Sequence, residues 1–238
     1  MATKTSEYKL IKEGEEGRGL LIENDGFMSL SQGFDGAILR EDERDGKGDG
    51  LKCPYPFIVP AVFQKFGIKN ANGRIYPENV LKPEVEKFQE VIKERRALME
   101  ANHPDESIID LSRVAGNIVE LHWEGSTLLG KLEIITSEGF RKYGIISCCG
   151  DEIANLLLQG LKIGVSSRGI GNVEQKYGIM TVTDYELVTW DIVSQPSTPG
   201  AWITDKESDL KPYVENYSRK GQQLIENAQK FSNWLNRK

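Results

Sequence analysis

Between Arg113 and Thr136 apolar and polar residues alternate on either side of Gly125-Ser126. A period of two is a strand signature, so this stretch is committed to an antiparallel hairpin with one dry face and one wet face. Around it, Phe57-Ile58-Val59-Pro60-Ala61-Val62-Phe63 reads as a buried strand in which Pro60 demands an edge or a bulge. Pro77 and Pro83 bracket the entry to a helix expected to run to about Met99, with Val85, Phe88, Val91, Ile92 and Arg95 at helical spacing. A second helix is expected from Asp151 to Gln159, with Asp151 as N-cap and Gly160 as the stop. Leu161 to Ser167 follows as a strand that delivers Ser166 at its far end, and Gly178 to Val193 carries one or two more strands, with a turn near Asp184.

The flanks differ in composition. Residues 41–52 mix charges with glycines and hold almost nothing apolar, which predicts a solvated linker. Beyond Asp205 the chain is polar apart from Leu224, Ile225, Ala228, Phe231, Trp234 and Leu235, spaced as one face of a helix. The 238 residues therefore divide into an N-terminal segment, 1–52, one catalytic domain, 53–204, and a helical tail, 205–238. A net charge of −6 leaves no broad basic surface for a phosphate backbone and argues for protein partners rather than nucleic acid. No run approaches the ~18 apolar residues of a membrane span, and Met1 to Glu7 has no apolar signal core, so the chain is expected to stay in the cytoplasm. Cys53 and the adjacent Cys148-Cys149 make a poor disulfide framework and lack the spaced partners of a zinc site, so they read as reduced thiols.

Chemistry concentrates in two places. Gly164-Val165-Ser166-Ser167-Arg168-Gly169 offers two hydroxyls between glycines that permit close backbone approach. A serine hydroxyl needs a base, and the chain has only two imidazoles. His122 lies in the hairpin beside Trp123, which leaves His103, in the Asn102-His103-Pro104 loop, as the candidate. Chemistry alone does not separate Ser166 from Ser167. Arg168 adds a guanidinium able to hold an oxyanion directly or through water, and the amides of Ser167 to Gly169 can donate as well. The run lacks the second glycine of a Gly-x-Ser-x-Gly elbow, which weighs against an α/β-hydrolase. Nothing in this chemistry calls for a metal or an organic cofactor.

These motifs also carry a resemblance. Asn72-Gly73-Arg74-Ile75-Tyr76-Pro77, Ala101-Asn102-His103-Pro104, the serine run, and Asp191-Ile192-Val193 leading into Pro196-Ser197 and Ala201-Trp202 resemble, in order, the prohead core proteases of T-even-type tailed bacteriophages. The resemblance spans roughly residues 58–203. It implies an α+β fold built around an open, mostly antiparallel β-barrel with flanking helices, similar to the herpesvirus assembly proteases. It also implies a serine endopeptidase that cleaves scaffold or core proteins and the major capsid protein inside the assembling prohead in the host cytoplasm. A homo-oligomer is compatible with that role, and a catalytically silent core component with the same fold is the alternative.

By the same resemblance Ser166, the first serine of the run, is the nucleophile, with Ser167 as the fallback. The herpesvirus enzymes complete their triad with a second histidine after the serine, but none follows Ser166 here. The third member must then be acidic; Asp184, Glu186 and Asp191 qualify, and Asp191 matches the family motif. The family cleaves after glutamate preceded two positions earlier by leucine or isoleucine. Leu21-Ile22-Glu23-Asn24 and Leu224-Ile225-Glu226-Asn227 fit that pattern and suggest self-cleavage at Glu23 or Glu226.

Overall fold

In the computed structural model the described residues are 19–22, 53–104, 106–176 and 178–210. The linker 41–52, the apolar stripe of 224–235, Glu23 and Glu226 lie outside them. Among the described residues two four-stranded sheets form. The first contains β1 (Gly19–Ile22), β7 (Gly164–Lys176), β8 (Ile179–Val193) and β3 (Arg74–Ile75) in that order. The second runs β2 (Phe57–Lys65), β6 (Thr127–Ile134), β5 (Val114–Glu124) and β4 (Leu98–Glu100). All pairings are antiparallel except that of β3 with β8.

The α+β character and flanking helices are present, but the expected barrel is not: neither sheet closes. The β7–β8 ribbon pairs outward with β1 over Arg168–Gly171 and with β3 over Met180–Thr181, and the second sheet is met at its base. There the sheets meet through isolated bridges. Ala101 bridges Ile192, while the segment 201–204 bonds to β2 through Val62 N–H to Trp202 O and to the start of β7 through Val165 N–H to Ala201 O.

The expected hairpin is β5–β6, turning at Gly125 with φ +60°. β2 is an edge strand with a bulge at Val62/Gln64, and the Pro60 carbonyl accepts the Thr204 N–H. Helix α1 spans Glu78–Lys93 and ends well before Met99. Arg95 adopts φ 55°, and the bonds Arg95 N–H to Ile92 O and Arg96 N–H to Val91 O close a Schellman motif. Leu98 and Met99 are then free to pair with Asn117 and Gly116 as β4. Pro83 lies inside α1 rather than at its entry.

A short helix that sequence periodicity did not announce, α2 (Glu138–Tyr143), is capped by Ser137 Oγ, which accepts the Phe140 N–H. Helix α3 spans Cys149–Leu158, and Cys148, not Asp151, is its N-cap. Asp151 sits in the first turn and is fully buried. Its carboxylate accepts the N–H groups of Ser137, Ser147 and Cys148 and the hydroxyls of Ser137 and Ser147. Burial alone would raise its pKa; those hydrogen bonds outweigh burial and lower it to about 2.

The core lies between the sheets and α1. Leu81, Val85 and Phe88 point inward from the helix, and Trp190 is enclosed edge-on by Phe63 and Phe88 at 5.7 and 5.3 Å between ring centroids. β7 and β8 run as single long strands joined next to Gly178, so Ser166 sits near the beginning of its strand, not at its far end, and Asp184 is a positive-φ irregularity within β8 rather than a turn.

Candidate active site

Both expected site strands meet at the corner where the two sheets touch. In the β7–β8 ladder Ser166 pairs with Asp191, Ser167 with Trp190, and Arg168 with Thr189. Directly opposed residues of an antiparallel pair project to the same face, and successive residues alternate. Ser166, Arg168, Thr189 and Asp191 therefore share one face, while Val165, Ser167, Trp190 and Ile192 share the other. The second face is the hydrophobic core. This separates the two serines, which residue chemistry could not: the Ser167 hydroxyl lies on the core face and has no hydrogen-bond partner among the described residues.

His103 reaches the polar face from the end of β4. Asn102, with φ 65° and its N–H bonded to Ile192 O at 2.8 Å, turns the chain there. Asparagine tolerates this left-handed conformation better than most side chains. The turn brings His103 Nδ1 to 2.7 Å from Asp191 Oδ2, linking residues 88 apart in sequence. The His103 and Asp191 side chains are fully covered. His103 Nε2 has no hydrogen-bond partner among the described residues. Of the acidic candidates, Asp191 is the one in contact with His103; Asp184 and Glu186 line a separate cleft beside α1 with Lys87 and Phe88.

Arg168 is buried, not at the surface. Its Nη2 bonds Glu100 Oε2 and lies 3.1 Å from Asp191 Oδ1, its Nε lies 2.9 Å from Asp191 Oδ2, and Nη1 donates to Glu106 O at 2.7 Å. Every arm of the fork is thus in contact with an acid or a carbonyl. Glu100, also buried, was not singled out in the sequence; its one signal was a carboxylate three residues before the histidine.

The glycines of the serine run serve close approach. A Cβ on Gly164 would fall 2.5 Å from Pro196 Cδ, and one on Gly169 would fall 2.4 Å from the Tyr185 ring. Neither has a positive φ. Ser166 is 1% exposed. His122 contacts Glu120 on the half-exposed face of β5, away from this cluster. Among the described residues no group of His, Cys, Asp and Glu is arranged to hold a metal ion, and no helix is long and apolar enough to cross a membrane.

A hydroxyl, an imidazole and a carboxylate assembled at one corner are the parts of a serine hydrolase, and the comparisons agree. The profile of the family described as "Prohead core protein serine protease" matches residues 20–210. The "Prohead core protein protease" of Enterobacteria phage T4 is 33% identical over 178 residues, covering 73% of this chain and 79% of that protein. The solved structure of the bacteriophage T4 capsid assembly protease superposes with a TM-score of 0.53 at 26% identity, over 58% of this chain and 82% of that one. The chain belongs to the prohead core serine protease family.

Proposed function

We propose that this endopeptidase cleaves scaffold or core proteins and the major capsid protein of a phage prohead, using Ser166 as nucleophile, His103 as general base, and Asp191 to orient the base. The observation that carries this reading is the 2.7 Å contact between His103 Nδ1 and Asp191 Oδ2 on the face that also bears Ser166. With Nδ1–H donated to Asp191, the lone pair of Nε2 is left to receive the Ser166 proton. Oγ then bonds the scissile carbonyl carbon, His103 returns the proton to the leaving amine as the C–N bond breaks, and water repeats the sequence on the acyl-enzyme. Arg168 acts by holding Asp191. The oxyanion falls to backbone donors: strand alternation puts the Ser167 N–H on the same side as that of Val165. The Val165 N–H is taken by the Ala201 carbonyl, so that side of β7 faces away from β8.

All of these residues fall in 53–204, which we take as the protease unit between flanking segments 1–52 and 205–238. Work inside the assembling prohead, in the host cytoplasm, and processing of the chain itself belong to the same reading. Self-cleavage at Glu23 is supported by β1, whose last residue, Ile22, pairs with Arg168, two positions along β7 from Ser166. Mass spectrometry of the cognate scaffold protein incubated with wild type or with Ser166→Ala tests the function. Fragments with wild type alone are expected; identical intact masses in both reactions would overturn it.

A further inference from the structure

Glu100 ends β4 beneath His103 and is completely buried. Its Oε2 binds Arg168 Nη2; its Oε1 accepts the Asp110 N–H at 3.2 Å and lies 3.8 Å from Arg113 Nε. Its own N–H donates to Asp191 Oδ1 at 3.2 Å. Glu100 therefore touches the acid that orients the base twice, directly through its backbone and through the arginine they share.

Burying a carboxylate is costly unless it is paired, and a fold that needed only to neutralise Asp191 would need only Arg168. Here one guanidinium serves two acids. The charged groups facing Glu100 are Arg168 from β7, Asp191 from β8 and Arg113 ahead of β5; the Asp110 carboxylate is turned to Ser112. The Arg113 side chain is 41% exposed and is screened by solvent. Among these fully buried side chains, Glu100, Asp191 and Arg168 leave one net negative charge while His103 is neutral, and none once it takes a proton. Without the Glu100 carboxylate the same protonation would turn a neutral cluster positive.

We propose that Glu100 is a positioning residue for the hydrolysis: it claims part of Arg168, so that the guanidinium fixes Asp191 against His103 without cancelling the charge that stabilises the imidazolium. Glu100 exchanges no proton and touches no substrate. The proposal rests on the Ser166–His103–Asp191 reading above.

The test is the pH–rate profile of wild type, Glu100→Gln and Glu100→Asp on a peptide that wild type cleaves, with His103→Ala as reference. For Glu100→Gln, kcat is expected to fall about 10- to 100-fold with little change in KM, a part of the ~10²–10⁴ that a positioned base supplies. The acid limb of its profile moves to lower pH, because charging the imidazole is no longer favoured by a net negative cluster. Glu100→Asp keeps the charge at shorter reach, so its limb stays at the wild-type position while kcat drops. Wild-type kcat in Glu100→Gln, or a lowered kcat with an unmoved limb, overturns the proposal. Should Glu100→Gln not fold, Glu100→Asp decides alone, and either an unchanged kcat or a displaced limb overturns it. An active His103→Ala would instead remove the triad reading itself.

Discussion

The two faces of the β7–β8 ribbon at its base are built from adjacent residues and do opposite work. Val165, Ser167, Trp190 and Ile192 share the core face, where Trp190 meets Phe63 and Phe88 and ties the sheet to α1. Ser166, Arg168 and Asp191, each one residue away, share the polar face, where Asp191 meets His103 and Arg168 meets Glu100. On one face stability depends on shape and area; on the other, on whether every buried charge has a partner. A single-residue slip of register would exchange the faces, placing charges in the core and indole in the site. The long ladder and the glycines that seat it against Pro196 and Tyr185 guard against that slip.

The contrast predicts which property each substitution damages. The largest effect is on the polar face: Ser166→Ala is expected to lower kcat by about 10⁶-fold, the size seen for loss of a serine nucleophile in subtilisin, with the unfolding midpoint nearly unchanged. Kinetics and a denaturant melt on the same preparation check both halves. Next, Trp190→Ala on the core face should cost about 3–5 kcal/mol in equilibrium unfolding, with the remaining folded enzyme still active. An inactive but equally stable variant would break the division between the faces.

Smaller, and useful for separating the two kinds of acid sensitivity, is Asp151. Its pKa of about 2 lies below that of a carboxylate in an unfolded chain, so its stabilising contribution is complete above about pH 4 and lost as pH falls toward 2. That contribution is about 2 kcal/mol, read as a narrowing gap between the unfolding free energies of wild type and Asp151→Asn across that window. Activity that depends on a neutral histidine base is expected to fail on acidification while the protein is still folded. Parallel loss of activity and of near-UV dichroism would tie both to one event. The smallest effect belongs to Ser167→Ala, which removes a buried hydroxyl with no hydrogen-bond partner among the described residues: activity stays within a few-fold and stability moves by less than about 1 kcal/mol.

The hairpin β5–β6 was legible because its alternation and its Gly125-Ser126 turn agree. The end of α1 was not, since helical spacing continues through Ile92 to Arg95 and only the left-handed Arg95 and pairing to β5 decide that Leu98 joins a sheet. Tertiary pairing overrode local periodicity. Cys148 rather than Asp151 caps α3 because the carboxylate is drawn into a cage of Ser137, Ser147 and Cys148 groups, Ser137 being far from it in sequence. The barrel was an inference about closure, which depends on where β7 and β8 find partners, and no local pattern records that. In the site, His103 and the serine run were visible as motifs. Glu100 was not, because its pairing with Arg168 joins residues 68 apart, and nothing about a glutamate at the end of a strand announces a distant arginine.

The central claim is that the catalytic hydroxyl is the one facing Asp191 rather than the one facing Trp190. Labelling the active enzyme with a fluorophosphonate and mapping the adduct by peptide mass spectrometry tests it most directly. The account predicts modification of Ser166 alone in wild type, and none in His103→Ala; an adduct on Ser167, or labelling of Ser166 undiminished in His103→Ala, would contradict it.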